Sequence, residues 1–141
     1  MQAHPITEEL FVGPQLAPGD IETAKEKGFR AIIVNRPDGE SADQPGYAEI
    51  EAAAAASGLA TRYIPVTVGG IDDTDIAAFA TAMSELPKPI LAFCRSGTRA
   101  AMLWALSQAG QRPLPEILKL SSEAGYDLSG LAARITQRSA D

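Results

Sequence analysis

The chain has 141 residues, 12 of them basic and 18 acidic, for a net charge of −6. Hydrophobic residues make up 45% and charged residues 21%, the composition of a globular protein able to build its own core. The acidic balance argues against nucleic acid as the main partner, no apolar run is long enough to span a bilayer, and one cysteine allows no internal disulfide, which fits a reducing cytoplasm.

Met1 to Pro5 has neither the basic region nor the apolar stretch of a secretion signal, so a cytoplasmic location with no membrane partner is expected. Ile6 to Val12 reads as an opening strand closed by Gly13-Pro14. A short helix follows from Pro18, with Asp20 as its N-cap and Gly28 as its stop. Phe29 to Asn35 contains Ala-Ile-Ile-Val, the pattern of a buried parallel strand. The loop from Asn35 to Gly46 lies at the carboxyl end of that strand, where open α/β sheets place their ligands, so Arg36 and Asp38 are candidates to reach a bound anion. Pro45 to Ser57 is an alanine-rich helix ended by Gly58. Thr61 to Val68 is a third strand, broken by Gly69-Gly70. Asp72, Asp73 and Asp75 open a helix over Ile76 to Leu86, where acids in the first turn favour the dipole.

Pro87 and Pro89 lead into the buried strand Ile90 to Phe93, the polar loop Cys94 to Arg99 and an almost wholly apolar helix from Ala100 to Leu106. Ile117 to Glu123 and Leu128 to Arg138 are two closing helices, and the tail Ser139-Ala140-Asp141 is expected to fray. There is no repeat and no linker, so one domain over 1–141 is expected. Strands alternating with helices predict an α/β fold, with a central, mostly parallel sheet flanked by helices and extra helices at the C-terminus.

The loop Cys94-Arg95-Ser96-Gly97-Thr98-Arg99 is the chemical centre of the chain. Backbone N–H groups curling between a strand and a helix N-terminus make an anion nest. Arg95 and Arg99 add fixed charge suited to tetrahedral oxyanions, and Ser96, Gly97 and Thr98 complete the binding loop. A cysteine at the lip of such a nest is poised as a thiolate nucleophile. Charge is distributed to match: residues 1–87 carry 5 basic and 14 acidic side chains, whereas residues 88–141 carry 7 and 4.

Cys-Arg-Ser-Gly-Thr-Arg resembles the active loop of rhodanese-type sulfurtransferases and, less closely, the Cys-x5-Arg loop of cysteine-dependent phosphatases. The wider order of Val34-Asn35-Arg36-Pro37-Asp38-Gly39-Glu40, Gln44-Pro45, Ile64-Pro65-Val66 and the Cys94 loop resembles the phosphatase-like domain of the beta-lactamase hydrolase-like proteins. That resemblance implies a protein-tyrosine or dual-specificity phosphatase fold rather than a rhodanese fold. It also implies that the domain can be joined to a metallo-hydrolase that oxidises persulfides. The single histidine, His4, cannot supply a metal site for that second chemistry, so no metal or cofactor is expected.

The resemblance implies two reactions through Cys94. Phosphatases place Arg six positions after the cysteine, a His before it and an acid after the third strand. Here those places hold Ala100, Phe93 and Thr67-Val68-Gly69-Gly70, and Arg99 comes one residue early. Asp72 is the nearest catalytic acid candidate, with Asp73 and Asp75 beside it. Sulfur transfer from thiosulfate or a persulfide to an acceptor thiol needs no acid. The reading therefore puts a sulfurtransferase using a Cys94 persulfide first. A phosphatase acting on a phosphate ester through a phosphocysteine is the alternative, and a non-catalytic anion or persulfide sensor is the second alternative. Cys94, Arg99 and Asp72 are the catalytic candidates.

Overall fold

A computed structural model describes residues 1–140. One five-stranded sheet organises them, in the order β1-β2-β5-β3-β4: β1 His4–Pro5, β2 Leu10–Gly13, β3 Ala31–Val34, β4 Ala60–Tyr63 and β5 Ile90–Phe93. The last four run parallel, and β1 pairs antiparallel with β2 at the edge. The helices are α1 Pro18–Glu26, α2 Tyr47–Ser57, α3 Asp73–Glu85, α4 Thr98–Ser107, α5 Leu114–Glu123 and α6 Ala132–Ser139.

The unbroken apolar runs of β3 and β5 follow from burial on both faces. Ile32 and Val34, with Leu91 and Phe93, join Ile21 and Ala24 of α1 and Ile50 and Ala54 of α2 on one face. Ala31, Ile33, Ile90 and Ala92 face the other way, against Phe79 of α3, Leu103 and Trp104 of α4, and the C-terminal helices. Successive strand side chains alternate sides, so each strand serves both layers. Among the described residues, no helix is long and apolar enough to cross a membrane.

The structure redraws several expected elements. The opening strand is interrupted because the Thr7 hydroxyl accepts the N–H groups of Glu9 and Leu10, at 3.1 and 3.2 Å, turning the chain before β2. Asp20 lies in the first turn of α1, where its carboxylate accepts the N–H of Ala17, the actual N-cap residue, at 2.8 Å. The third strand stops at Tyr63, because Pro65 offers no N–H to continue the ladder. The chain beyond it still follows β3: Ile64 N–H reaches the Val34 carbonyl at 2.9 Å and Val66 N–H the Asn35 carbonyl at 3.0 Å. The final helix is divided, a 3-10 turn over Ser129–Leu131 preceding α6. Ser139, expected to fray, ends α6 with its hydroxyl donating to the Ile135 carbonyl at 2.9 Å and accepting Gly110 N–H at 3.1 Å. Asp141 lies outside the described residues.

Leu103 is fully buried where α4 meets the sheet. Leu103→Ala is expected to destabilise the domain by about 2–5 kcal/mol, read from urea unfolding. A cost well below about 1 kcal/mol would mean that this face of α4 is not core.

Candidate active site

The four parallel strands end at the same edge of the sheet, and the segments that leave them build one cleft. It measures about 690 Å³, and its walls include Gln15 after β2, Arg36 and Glu40 after β3, Val68 after β4, and Arg95 and Arg99 after β5. A larger hollow of about 810 Å³, lined by Lys88, Trp104 and Arg112 among others, lies at the opposite strand ends, away from Cys94.

Cys94 follows the last residue of β5 and is almost fully buried at 1% exposure. Its Sγ accepts the Gly97 N–H at 3.1 Å. The chain reaches that geometry because Gly97 takes φ of 96°, the left-handed conformation that suits glycine, and serves as the N-cap position of α4. A Cβ at Gly97 would also run into the Tyr126 hydroxyl. The loop is tied from outside: Cys94 N–H donates to the Gly13 carbonyl at 3.4 Å, and the Arg95 carbonyl accepts Gln15 N–H at 3.3 Å. The Ser96 carbonyl accepts the Tyr126 hydroxyl at 3.1 Å. Ser96 and Thr98 share a hydroxyl hydrogen bond of 3.0 Å at the exposed lip. Arg95 is exposed there and lines the cleft.

Arg99 occupies the second position of α4 and turns inward. Its guanidinium donates twice to Glu40, at 2.7 and 2.9 Å, and once to the Val66 carbonyl at 2.8 Å. Arg36 donates to the same carboxylate, at Oε1, at 3.0 Å, and to Gln15 Oε1 at 3.1 Å. The side chains of Arg36 and Arg99 are each only 7% exposed. Glu40, held by its hydrogen bond to Arg99 and then by Arg36 against the opposing effect of burial, has its carboxyl lowered to a pKa of about 2. Reciprocally, the hydrogen bond to Glu40 raises Arg99 above its ordinary value; burial opposes this, and the charge of Cys94 adds to it.

The structure thus brings Arg36, Arg95 and Arg99 to the walls of one cleft, while Cys94, Ser96, Gly97 and Thr98 belong to the adjoining loop between β5 and α4. Asp38 is elsewhere in its use: its Oδ1 accepts the Tyr47 N–H at 2.8 Å and so starts α2. Asp72 caps α3, accepting Asp75 N–H at 2.9 Å, while the Asp75 carboxylate accepts Asp72 N–H at 3.0 Å. Asp73 pairs with Arg138 at 2.6 Å. None of these three acids lines the cleft. Chiefly through the Asp75 N–H, Asp72 is held below its ordinary pKa, which does not suit a proton donor at neutral pH. Asp43, which does line the cleft, is also lowered, first by the Ser41 hydroxyl.

Glu40, Gln15 and Tyr126 are the residues that sequence reasoning missed. Glu40 meets Arg99 across 59 positions of chain and Tyr126 meets Ser96 across 30, so no local spacing betrays either.

Because the folded pKa of Glu40 is depressed, its contribution to stability is fully present above its ordinary value of 4.5 and is lost as pH falls toward 2. Glu40→Gln is expected to be less stable than the wild type at pH 7, with the gap closing between pH 4.5 and 2 in urea unfolding. A gap unchanged across that window would show that the two guanidinia do not act on this carboxylate.

Residues 3–111 match the family described as beta-lactamase hydrolase-like protein, phosphatase-like domain. A beta-lactamase hydrolase-like protein of Agrobacterium fabrum is 35% identical over 99% of this chain. The match covers 33% of that protein, so the chain spans about a third of this relative's length. A crystal structure of a candidate phosphatase from Neisseria meningitidis superposes with a TM-score of 0.86 at 32% identity, covering 96% of each chain. The core catalytic domain of a PP-IP phosphatase from S. cerevisiae shares the fold alone, with a TM-score of 0.65 at 13% identity over 96% of this chain and 83% of that one. The chain belongs to the phosphatase-like domain family of the beta-lactamase hydrolase-like proteins.

Proposed function

We propose that the domain is a cysteine-dependent phosphohydrolase acting on phosphate esters or anhydrides whose leaving group departs as a stable anion. The observation that carries this reading is Cys94 Sγ at the floor of the β5–α4 loop, met by the Gly97 N–H, with Arg99 fixed nearby by Glu40. The family and the phosphatase fold support phosphate transfer over the sulfur transfer that the loop sequence puts first.

In the reaction, the Cys94 thiolate attacks phosphorus. A sulfur–phosphorus bond forms, the ester or anhydride oxygen leaves with its electron pair, and loop N–H groups and Arg99 hold the developing negative charge. Water then attacks the phosphocysteine, releasing inorganic phosphate, a proton and the thiolate. Glu40, Asp43 and Asp72 are all held toward the carboxylate form, so the leaving group must depart without a proton from them. Aryl phosphates, acyl phosphates and phosphoanhydrides satisfy that condition; alkyl phosphates do not.

One observation favours a second reading. Cys94 to Arg99 is a six-residue loop, one residue shorter than the Cys-x5-Arg pattern, and a narrower cradle suits one added sulfur. In that reaction the thiolate attacks the outer sulfur of thiosulfate and the sulfur–sulfur bond breaks. Sulfite leaves, and an acceptor thiolate then takes the sulfur from the Cys94 persulfide.

The test compares p-nitrophenyl phosphate, an alkyl phosphate, and thiosulfate with cyanide as acceptor, for the wild type and Cys94→Ser. Phosphate transfer predicts turnover of the aryl ester, with the alkyl ester slower by about 10²–10⁴-fold, the usual worth of a general acid. Cys94→Ser is expected to be inactive. Turnover of thiosulfate far above that of the aryl ester would give the domain to sulfur transfer. Binding of anions without turnover of any of the three would make it a sensor.

A further inference from the structure

We propose that Tyr126 is a positioning residue for the Cys94 loop: its hydroxyl pins the Ser96–Gly97 peptide with the Gly97 N–H turned to the sulfur. The inference rests on Cys94 being the reacting atom, whichever group it accepts.

The argument is one of peptide geometry. The Ser96 carbonyl and the Gly97 N–H belong to a single planar unit, and in a trans peptide they point in opposite directions. Tyr126 Oη donates to that carbonyl at 3.1 Å, and the N–H donates to Cys94 Sγ at 3.1 Å. One hydroxyl therefore sets the direction of the dipole that faces the sulfur. The preceding unit is treated alike, since the Arg95 carbonyl is held by Gln15 N–H at 3.3 Å. Glycine at position 97 makes the pin necessary. Its φ is free of side-chain restraint, so an untethered Ser96–Gly97 unit can rotate. A rotated unit presents a carbonyl oxygen to the thiolate and to any bound anion, replacing a stabilising donor with a repulsive acceptor.

Tyr126 is built to hold this position. It is 8% exposed and belongs to the core cluster that joins α4 to the C-terminal helices. Its own N–H is fixed to the Ser121 carbonyl at 2.9 Å, and its ring meets His4 edge-on with centroids 6.0 Å apart. Burial, and then the charge of Cys94, raises its hydroxyl above the ordinary tyrosine range, so it stays a donor at neutral pH. Tyr126 lies beyond residues 3–111, the stretch matched to the family, so the C-terminal segment is tied to the chemistry through this contact.

Tyr126→Phe keeps the ring and removes the donor. In the full chain, we expect iodoacetamide to alkylate Cys94 about three- to ten-fold more slowly at neutral pH, the scale of one net hydrogen bond. The alkylation–pH profile should move to higher pH, kcat should fall with KM little changed, and the urea midpoint should fall by no more than the loss of one hydrogen bond. An unmoved pH profile overturns the proposal, whether or not stability falls, because a packing role alone would change the midpoint and not the profile. Alkylation needs no turnover, so this result stands apart from the choice of reaction, which the substrate comparison with Cys94→Ser decides.

Discussion

A single carboxylate, that of Glu40, holds two nearly buried guanidinia in place. A buried charge without a partner is costly, and among the described residues Glu40 is the one carboxylate paired with both Arg36 and Arg99. The two-bond contact with Arg99 fixes the plane of that guanidinium, and the Val66 carbonyl takes a further donor. Three segments leaving three different strands are thereby locked together. The charges do not cancel: Arg36, Arg95 and Arg99 stand against Glu40 and Asp43 in the lining of the cleft, an excess of one positive charge. An acidic chain thus presents a locally cationic cleft.

The second constraint is the direction of peptide dipoles in the loop. A turn from β5 into α4 through a left-handed glycine puts N–H groups on the inside only if the carbonyls are satisfied on the outside. The segment after β2 and the segment after α5 supply those outside partners, Gln15 N–H and the Tyr126 hydroxyl. The sheet order explains why Gln15 is within reach. β5 sits between β2 and β3, so its carboxyl end is flanked by the loops that follow both neighbours. What the site lacks shapes its chemistry as much as what it has. The carboxyls at hand are held ionised, which is why the proposed reaction is confined to groups that leave as stable anions.

Much of this was legible in the amino-acid order because it is local. The Ala31–Val34 and Ile90–Phe93 runs announce two-sided burial, and the step from an apolar strand through Gly97 into an apolar helix announces the turn that carries Cys94. Helix starts were harder. Asp20 and Asp72 both precede apolar runs, yet one lies inside the first turn and the other is the cap, a difference of three positions that composition does not reveal. Asp38 sits in a ligand-side loop and still serves a helix N-terminus, since an Asp side chain bonds nearby N–H groups as readily as a ligand. The Glu40–Arg99 and Tyr126–Ser96 contacts were invisible because they depend on which distant segments the fold makes neighbours. The choice of reaction also depends on what is weighed: the length of the loop favours sulfur, and the family and fold favour phosphate.

The most direct test of this account is the chemical state of Cys94 during turnover. Rapid acid quench of the wild-type domain with p-nitrophenyl phosphate, followed by intact and peptide mass analysis, should find one phosphoryl group on Cys94, absent in the enzyme without substrate. Steady release of nitrophenol with Cys94 unmodified throughout and the adduct on another side chain, or on none, would contradict it.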